Sequence, residues 1–306
     1  MGGTKLLAGT LPLGDLAESW LRALEAERKS GQTLRSYRAA VDAFLRWHAG
    51  QSPAEPVLDR AAVSAFLADH PGWSPATARL RYAALRQFGR WLAEEGEADA
   101  DPLAGMRPPK LDKPVVPRLS DGEVAALVRA CKAGQPFTAR RDEALVRLMT
   151  EGLLRASEAL ALTVADVDLR RGVAVVRRGK GAKGRLVPFG PETGRALDRY
   201  LRLRRRHPLA DTAPLWLPGA GRATFGYPGL QFALGQRAKA AGIEGFHVHR
   251  LRHTGASRWL RAGGTPTGLR QVGGWTTLDM VTRYTESDAQ EQALEEARKL
   301  GLGQFD

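Results

Sequence analysis

The chain has 306 residues, 43% of them hydrophobic, with 46 Lys+Arg against 33 Asp+Glu and a net charge of +13. That is long enough for two globular domains and too apolar for a disordered chain. No apolar run approaches the ~20 residues of a membrane span. Cys131 is the single cysteine, which excludes an internal disulfide and a Cys-based zinc site. Met1–Gly9 carries one Lys and a short apolar stretch but no convincing signal peptide, so a cytoplasmic location is expected.

The charge is uneven. Residues 1–110 hold 14 basic and 13 acidic side chains, a net of +1, whereas residues 111–306 hold 32 and 20, a net of +12. Such a surface attracts polyanions, because neutralising phosphates releases condensed counterions. A nucleic acid is therefore the expected partner.

The first hundred residues read as an all-α bundle. Leu13–Lys29 is amphipathic, with Leu16, Trp20 and Leu24 four apart and Gly31 as a stop. Thr33 is a capping residue for a second helix, with Leu34, Tyr37, Val41, Phe44, Leu45 and His48 on one face. Asp59–Asp69 is shorter. Ser74 and Pro75 open a fourth helix carrying Thr77, Leu80, Ala84, Phe88, Trp91 and Leu92 on its apolar face. Arg79, Arg86 and Arg90 share another face of it and are candidate phosphate contacts.

Asp99–Arg118 breaks the pattern with Pro102, Pro108, Pro109, Pro114 and Pro117, an extended and semi-rigid linker. The expected division is a helical domain at 1–100, a linker at 101–118 and a second domain at 119–306. Two domains on such a strap can close around a rod-shaped ligand.

Beyond the linker, Ser120–Glu123 is a capping-box pattern, Arg141–Met149 an apolar helix, and Ser157-Glu158 the start of another. The period then changes to two at Val173 and Val175, followed by a basic, glycine-rich turn, Gly179–Gly184, and Leu186–Phe189: a hairpin. Helical signals return at Pro191–Arg206, Gly229–Ala241, His249–Arg261, Thr265–Val272 and Thr277–Thr285, and Ser287–Leu300 reads as a charged helix. The fold class is mainly α with a small β-sheet: an all-α bundle followed by a mixed α+β domain.

Five segments of this half carry phosphate chemistry. Arg155 follows Gly152-Leu153-Leu154 at a helix mouth, where backbone amides also favour anions. Glu158, three residues on, can hold a neighbouring side chain. Lys180 lies in the hairpin turn, within reach of a leaving oxygen, and Lys183 and Arg185 beside it are expected to touch phosphates. His249 and Arg252 fall at i and i+3, so imidazole and guanidinium share a helix face. His247 precedes that helix and His253 is rotated off the face. Trp275 offers a bulky wall with one donor, and Tyr284 a nucleophile in a polar neighbourhood, between Arg283 and Thr285.

In that order these segments resemble the tyrosine recombinase (phage integrase) family, in particular Xer-like members built from a core-binding (SAM-like) and a catalytic domain. The hairpin Gly179–Pro188 and the run His249–His253 are its most specific matches. The resemblance implies a catalytic set of Arg155, Lys180, His249, Arg252, Trp275 and Tyr284, with Trp275 in a place that His or Trp fills. It implies site-specific cleavage and rejoining of DNA through a 3′-phosphotyrosine, with no metal, ATP or other cofactor and no small-molecule substrate, by tetramers on DNA. One departure is visible: the family reads Thr-Gly-Leu-Arg where this chain has Gly152-Leu153-Leu154-Arg155. The alternative that this departure raises is an architectural DNA-binding protein of the same fold with impaired catalysis.

Overall fold

The computed structural model describes residues 11–51, 57–111, 118–177, 184–219, 224–278, 281–282 and 300. It divides into two compact units, residues 1–114 and 115–306. The fold is mainly helical with one small sheet, as the periodicities imply.

The first unit holds α1 (Leu13–Ala26), α2 (Gly31–Gln51), α3 (Arg60–Ala68) and α4 (Pro75–Glu94). Its core is aromatic. Trp20 stacks on Tyr37 with centroids 5.6 Å apart and meets Phe88 at 5.2 Å. Ser74 caps α4 as expected, accepting from the Thr77 amide at 3.2 Å, and Asp59 caps α3. Two expectations shift. Gly31 begins α2 instead of ending the stretch before it, because Ser30 Oγ accepts from the Thr33 amide at 3.1 Å and takes the capping role assigned to Thr33. Leu80 is 44% exposed, and the buried face of α4 runs instead through Tyr82, Leu85, Phe88 and Leu92.

The second unit opens with α5 (Asp121–Ala130), whose capping box is complete: Ser120 Oγ accepts from the Glu123 amide, and Glu123 accepts from the Ser120 amide at 2.7 Å. The following helix, α6 (Pro136–Glu151), starts five residues before the apolar pattern at Arg141. Three of its charged residues, Arg141, Asp142 and Glu143, are buried, and Asp142 accepts from Arg141 at 2.8 Å and from Arg237 at 3.0 Å. After α7 (Ala156–Ala161) and a 3₁₀ turn come β1 (Val167–Asp168), β2 (Val173–Val176) and β3 (Arg185–Pro188). They form an antiparallel sheet in sequence order, with Ala174 opposite Val187 and Val176 opposite Arg185. The inward set is Ala174, Val176 and Val187, one residue out of phase with Val173 and Val175. Strand β1, two residues long, leaves no period to read.

Among the described residues the unit continues with α8 (Pro191–Arg204), α9 (Tyr227–Ala240), α10 (His249–Arg261) and α11 (Pro266–Gly273). Helix α10 lies hard against α6 at Gly255, where a Cβ would stand 1.9 Å from the Thr150 carbonyl oxygen. Only glycine permits that approach, and it sets the depth of the helix that carries His249 and Arg252. The turn bearing Lys180 and Lys183, most of Thr277–Thr285 with Tyr284, and Ser287–Lys299 lie outside the described residues. Among the described residues no helix is long and apolar enough to cross a membrane.

Candidate active site

Arg155 is delivered by a turn with an unusual residue at its centre. Helix α6 ends at Glu151, and Leu153 sits in the left-handed region at φ 53° before Arg155 caps α7. A leucine there is strained by roughly 1–2 kcal/mol. Its side chain is 1% exposed and packs with Ala256, Leu269, Trp275 and Val281, so apolar burial offsets the strain. Leu153 is thus accommodated, and its carbonyl is put to use: it accepts from Arg252 Nη1.

Glu158, on the first turn of α7, is the hub. Its Oε1 accepts from Arg155 Nη1 at 2.8 Å and Arg185 Nη1 at 3.0 Å. Its Oε2 accepts from Arg185 Nη2 at 2.8 Å and the Arg155 amide at 2.9 Å, and Arg252 Nη1 lies 3.9 Å away. Burial by itself pushes the carboxyl up. The Arg185 fork, the Arg155 amide and the Arg155 side chain outweigh it and hold Glu158 down at about 2. The carboxylate is therefore ionised under all working conditions.

Three arginines also tie down one loop. Val272, Gly273 and Gly274 carbonyls accept in turn from Arg185 Nε at 2.7 Å, Arg252 Nη2 at 2.7 Å and Arg155 Nη2 at 3.4 Å. That loop places Trp275, whose ring lies over the Arg252 guanidinium with Cζ 4.2 Å from the centroid. Two glycines are required here. Trp275 covers Gly273 so closely that a Cβ would meet the ring at 2.0 Å, and Gly274 adopts φ 62° with Arg185 Nη1 against it.

Arg155 and Arg252 are thus not equivalent. The Arg155 side chain keeps 26% of its surface open, whereas Arg252 is 1% exposed beneath Trp275. His249 and Arg252 lie at i and i+3 on α10, but they differ in exposure, and the Arg252 Nη groups donate to the Leu153 and Gly273 carbonyls. His249 opens α10 and is exposed. Partial desolvation and the charges of Arg252 and Arg155 lower its pKa, so the ring is neutral near pH 7. His253 meets it edge-on, with centroids 4.5 Å apart. Burial, with His249, His247 and Arg252 beside it, takes His253 down to about 3. Among the described residues no group of three or more His, Cys, Asp or Glu is gathered as a metal site.

Arg185 is a second correction. Expected on the surface beside Lys183 as a DNA contact, its side chain is 7% exposed and turned onto Glu158 and Val272. The signal was present in the strand period, since Arg185 lies two residues from buried Val187. In the first unit, Arg79, Arg86 and Arg90 line one groove of α4. Arg86 is held by Asp101 at 2.6 Å, Arg79 donates to the Pro109 carbonyl at 3.2 Å, and Arg90 is exposed.

With this geometry, comparison with known proteins is informative. The model of the phage integrase family matches residues 117–291, and that of the phage integrase N-terminal SAM-like domain matches residues 17–96. Tyrosine recombinase XerD of Xanthomonas campestris pv. campestris is 32% identical over 275 residues, covering 83% of this chain and 81% of that protein. Tyrosine recombinase XerC of Pseudomonas fluorescens is 31% identical over 284 residues, covering 90% and 92%. Among solved structures, the XerH site-specific recombinase bound to palindromic difH substrate in a post-cleavage complex shares the fold. Its TM-score is 0.76 at 18% identity, over 94% of this chain and 85% of that one.

Proposed function

The chain belongs to the phage integrase family, and on that premise we propose that it is a tyrosine site-specific recombinase using Arg155, Lys180, His249, Arg252, Trp275 and Tyr284 on double-stranded DNA. The observation that carries this assignment is the convergence of Arg155, Arg252 and Arg185 on one buried carboxylate, Glu158, and on the carbonyls of the loop before Trp275. Three guanidinia against one carboxylate leave an excess of two positive charges in a partly dehydrated setting. An oxyanion placed at the open side of Arg155 is what such a cluster is built to receive.

The chemistry follows from the side chains. Tyr284 oxygen forms a bond to the scissile phosphorus as the bond to the 5′-oxygen breaks, giving a 3′-phosphotyrosine and a free 5′-hydroxyl. The phenolic proton passes towards neutral His249, and Lys180 gives a proton to the departing oxygen. Arg155 takes a non-bridging oxygen. Arg252 acts from below, through its charge and by fixing the Trp275 loop. A 5′-hydroxyl from another strand reverses the step, and because the ester conserves the bond energy, no ATP is consumed. Exchange between two duplexes breaks four strands, one per Tyr284, so a tetramer on DNA is the working assembly. Residues 1–100 serve as the core-binding domain with Arg79, Arg86 and Arg90 towards DNA, 101–118 as the linker and 119–306 as the catalytic domain with Lys183 at the backbone. The cytoplasm, where chromosomal and phage DNA meet, is the compartment.

The test is incubation with a nicked suicide duplex followed by a denaturing gel. The parent chain gives a protein–DNA band on the 3′-phosphate side. Arg155→Ala binds DNA within a few-fold of the parent yet reacts about 10²–10³ times more slowly. Tight binding with no covalent band from the parent would establish the architectural reading instead.

A further inference from the structure

Arg185 has no part in the catalytic set, yet its side chain makes two hydrogen bonds to the site's anchor, Glu158, where the Arg155 side chain makes one. All of its nitrogens are engaged: Nη1 and Nη2 fork onto Glu158 Oε1 and Oε2 at 3.0 and 2.8 Å, and Nε donates to the Val272 carbonyl at 2.7 Å. The fork is fixed from three sides. Strand pairing with Val176 points the side chain inward, Gly274 offers no Cβ to displace it, and the α11 terminus supplies the carbonyl. Three of its five N–H donors are spent in this way, and with the side chain 7% exposed the guanidinium is turned away from solvent.

Resting on the recombinase reading above, we propose that Arg185 is a positioning residue of the cleavage reaction: it locks Glu158, and through Glu158 it sets the direction of the Arg155 guanidinium. Arg155 is the accessible arginine, joined to the rest through one contact to Glu158 Oε1 and one to the Gly274 carbonyl at 3.4 Å. Without Arg185, Glu158 loses two of the hydrogen bonds that stop it turning, and the Val272–Gly274 loop loses its first tether. Both anchors of Arg155 then loosen together. A displacement of about 1 Å at a transition-state donor costs on the order of a hundredfold in rate, while ground-state DNA affinity, spread over many phosphates, is left alone.

The experiment uses the full chain on a nicked suicide duplex, with DNA affinity measured over a salt series and adduct formation followed in single turnover at saturating protein. For Arg185→Ala, affinity and its salt dependence stay within about twofold of the parent, and the adduct rate falls about 10–100-fold. In a Glu158→Gln background the same substitution lowers the rate by less than about threefold, because the two residues act as one unit. Arg185→Lys keeps the charge and cannot fork, so it shows the same split, and it serves if the alanine variant loses its cooperative melt. An affinity loss above about tenfold with one fewer unit of salt slope, and an unchanged rate at saturation, would make Arg185 a phosphate contact. Additive losses in the Glu158→Gln background would also overturn the proposal. A parent chain without adduct overturns the recombinase reading, whereas normal adduct formation by both Arg185 variants overturns the positioning role alone.

Discussion

Trp275 covers Arg252: the indole lies 4.2 Å from the guanidinium carbon, is 8% exposed, and rests on Gly273. One ring therefore seals the arginine from water and strengthens every charge interaction beneath it. Trp275→Ala opens a cavity in the cluster shared with Leu153, Ala256 and Leu269. The expected loss is about 3–5 kcal/mol of stability in the second unit. Trp275→Phe keeps the wall and recovers most of it. Thermal melts of the two variants decide this, and equal melting temperatures would contradict the packing role.

Leu153 reverses a familiar ordering. At most buried positions glycine is worse than alanine, because it removes more surface and frees the unfolded backbone. At φ 53° alanine keeps the left-handed strain while glycine sheds it. Leu153→Ala and Leu153→Gly both lose the apolar side chain, at a cost of about 2–5 kcal/mol, but the glycine variant recovers roughly 1 kcal/mol of strain. Chemical denaturation is expected to rank the parent above Leu153→Gly and Leu153→Gly above Leu153→Ala.

Acid acts on the site in two stages. His253 is held down to about 3 from its ordinary 6.5, so its neutral form belongs to the folded state. Below pH 6.5 the unfolded chain takes up a proton that the folded chain refuses, and stability falls with pH until about 3. The limit is about 1.4 kcal/mol per pH unit, reduced by the partial exposure of the ring. Glu158 adds a second loss between 4.5 and about 2, where the unfolded carboxyl protonates first. The contribution of these two groups is thus level above pH 6.5, declines below it, and steepens below 4.5. His253→Asn is expected to flatten the first stage, and an unchanged decline in that variant would exclude His253 as its source. The adduct rate also falls in acid, since His249, lowered by burial and by the Arg252 charge, accepts a proton only while neutral.

Much of this is legible in the sequence, and the exceptions have physical causes. Arg155, His249, Arg252 and Trp275 stand in short motifs whose chemistry survives without neighbours, and the structure gathers them. Arg185 was misdirected because basic residues beside a glycine-rich turn look solvent-facing, although the alternation with Val187 already pointed it inward. The start of α6 lies outside the Arg141–Met149 reading because Pro136–Arg140 carry no apolar repeat, and the charges at Asp142 and Glu143 are buried because Arg141, Arg237 and Arg199 pair with them. No local signal shows that Leu153 tolerates a positive φ. That depends on Trp275 and Leu269, more than a hundred residues away in sequence.

The account stands most directly on Tyr284 as the group that becomes joined to DNA. Proteolysis of the adduct formed on a suicide duplex, followed by mass spectrometry of the DNA-linked peptide, is expected to place the phosphodiester on Tyr284. Tyr284→Phe is expected to bind the same duplex with unchanged affinity and give no adduct. A covalent band that persists in Tyr284→Phe, or a linkage mapped to another residue, would contradict it.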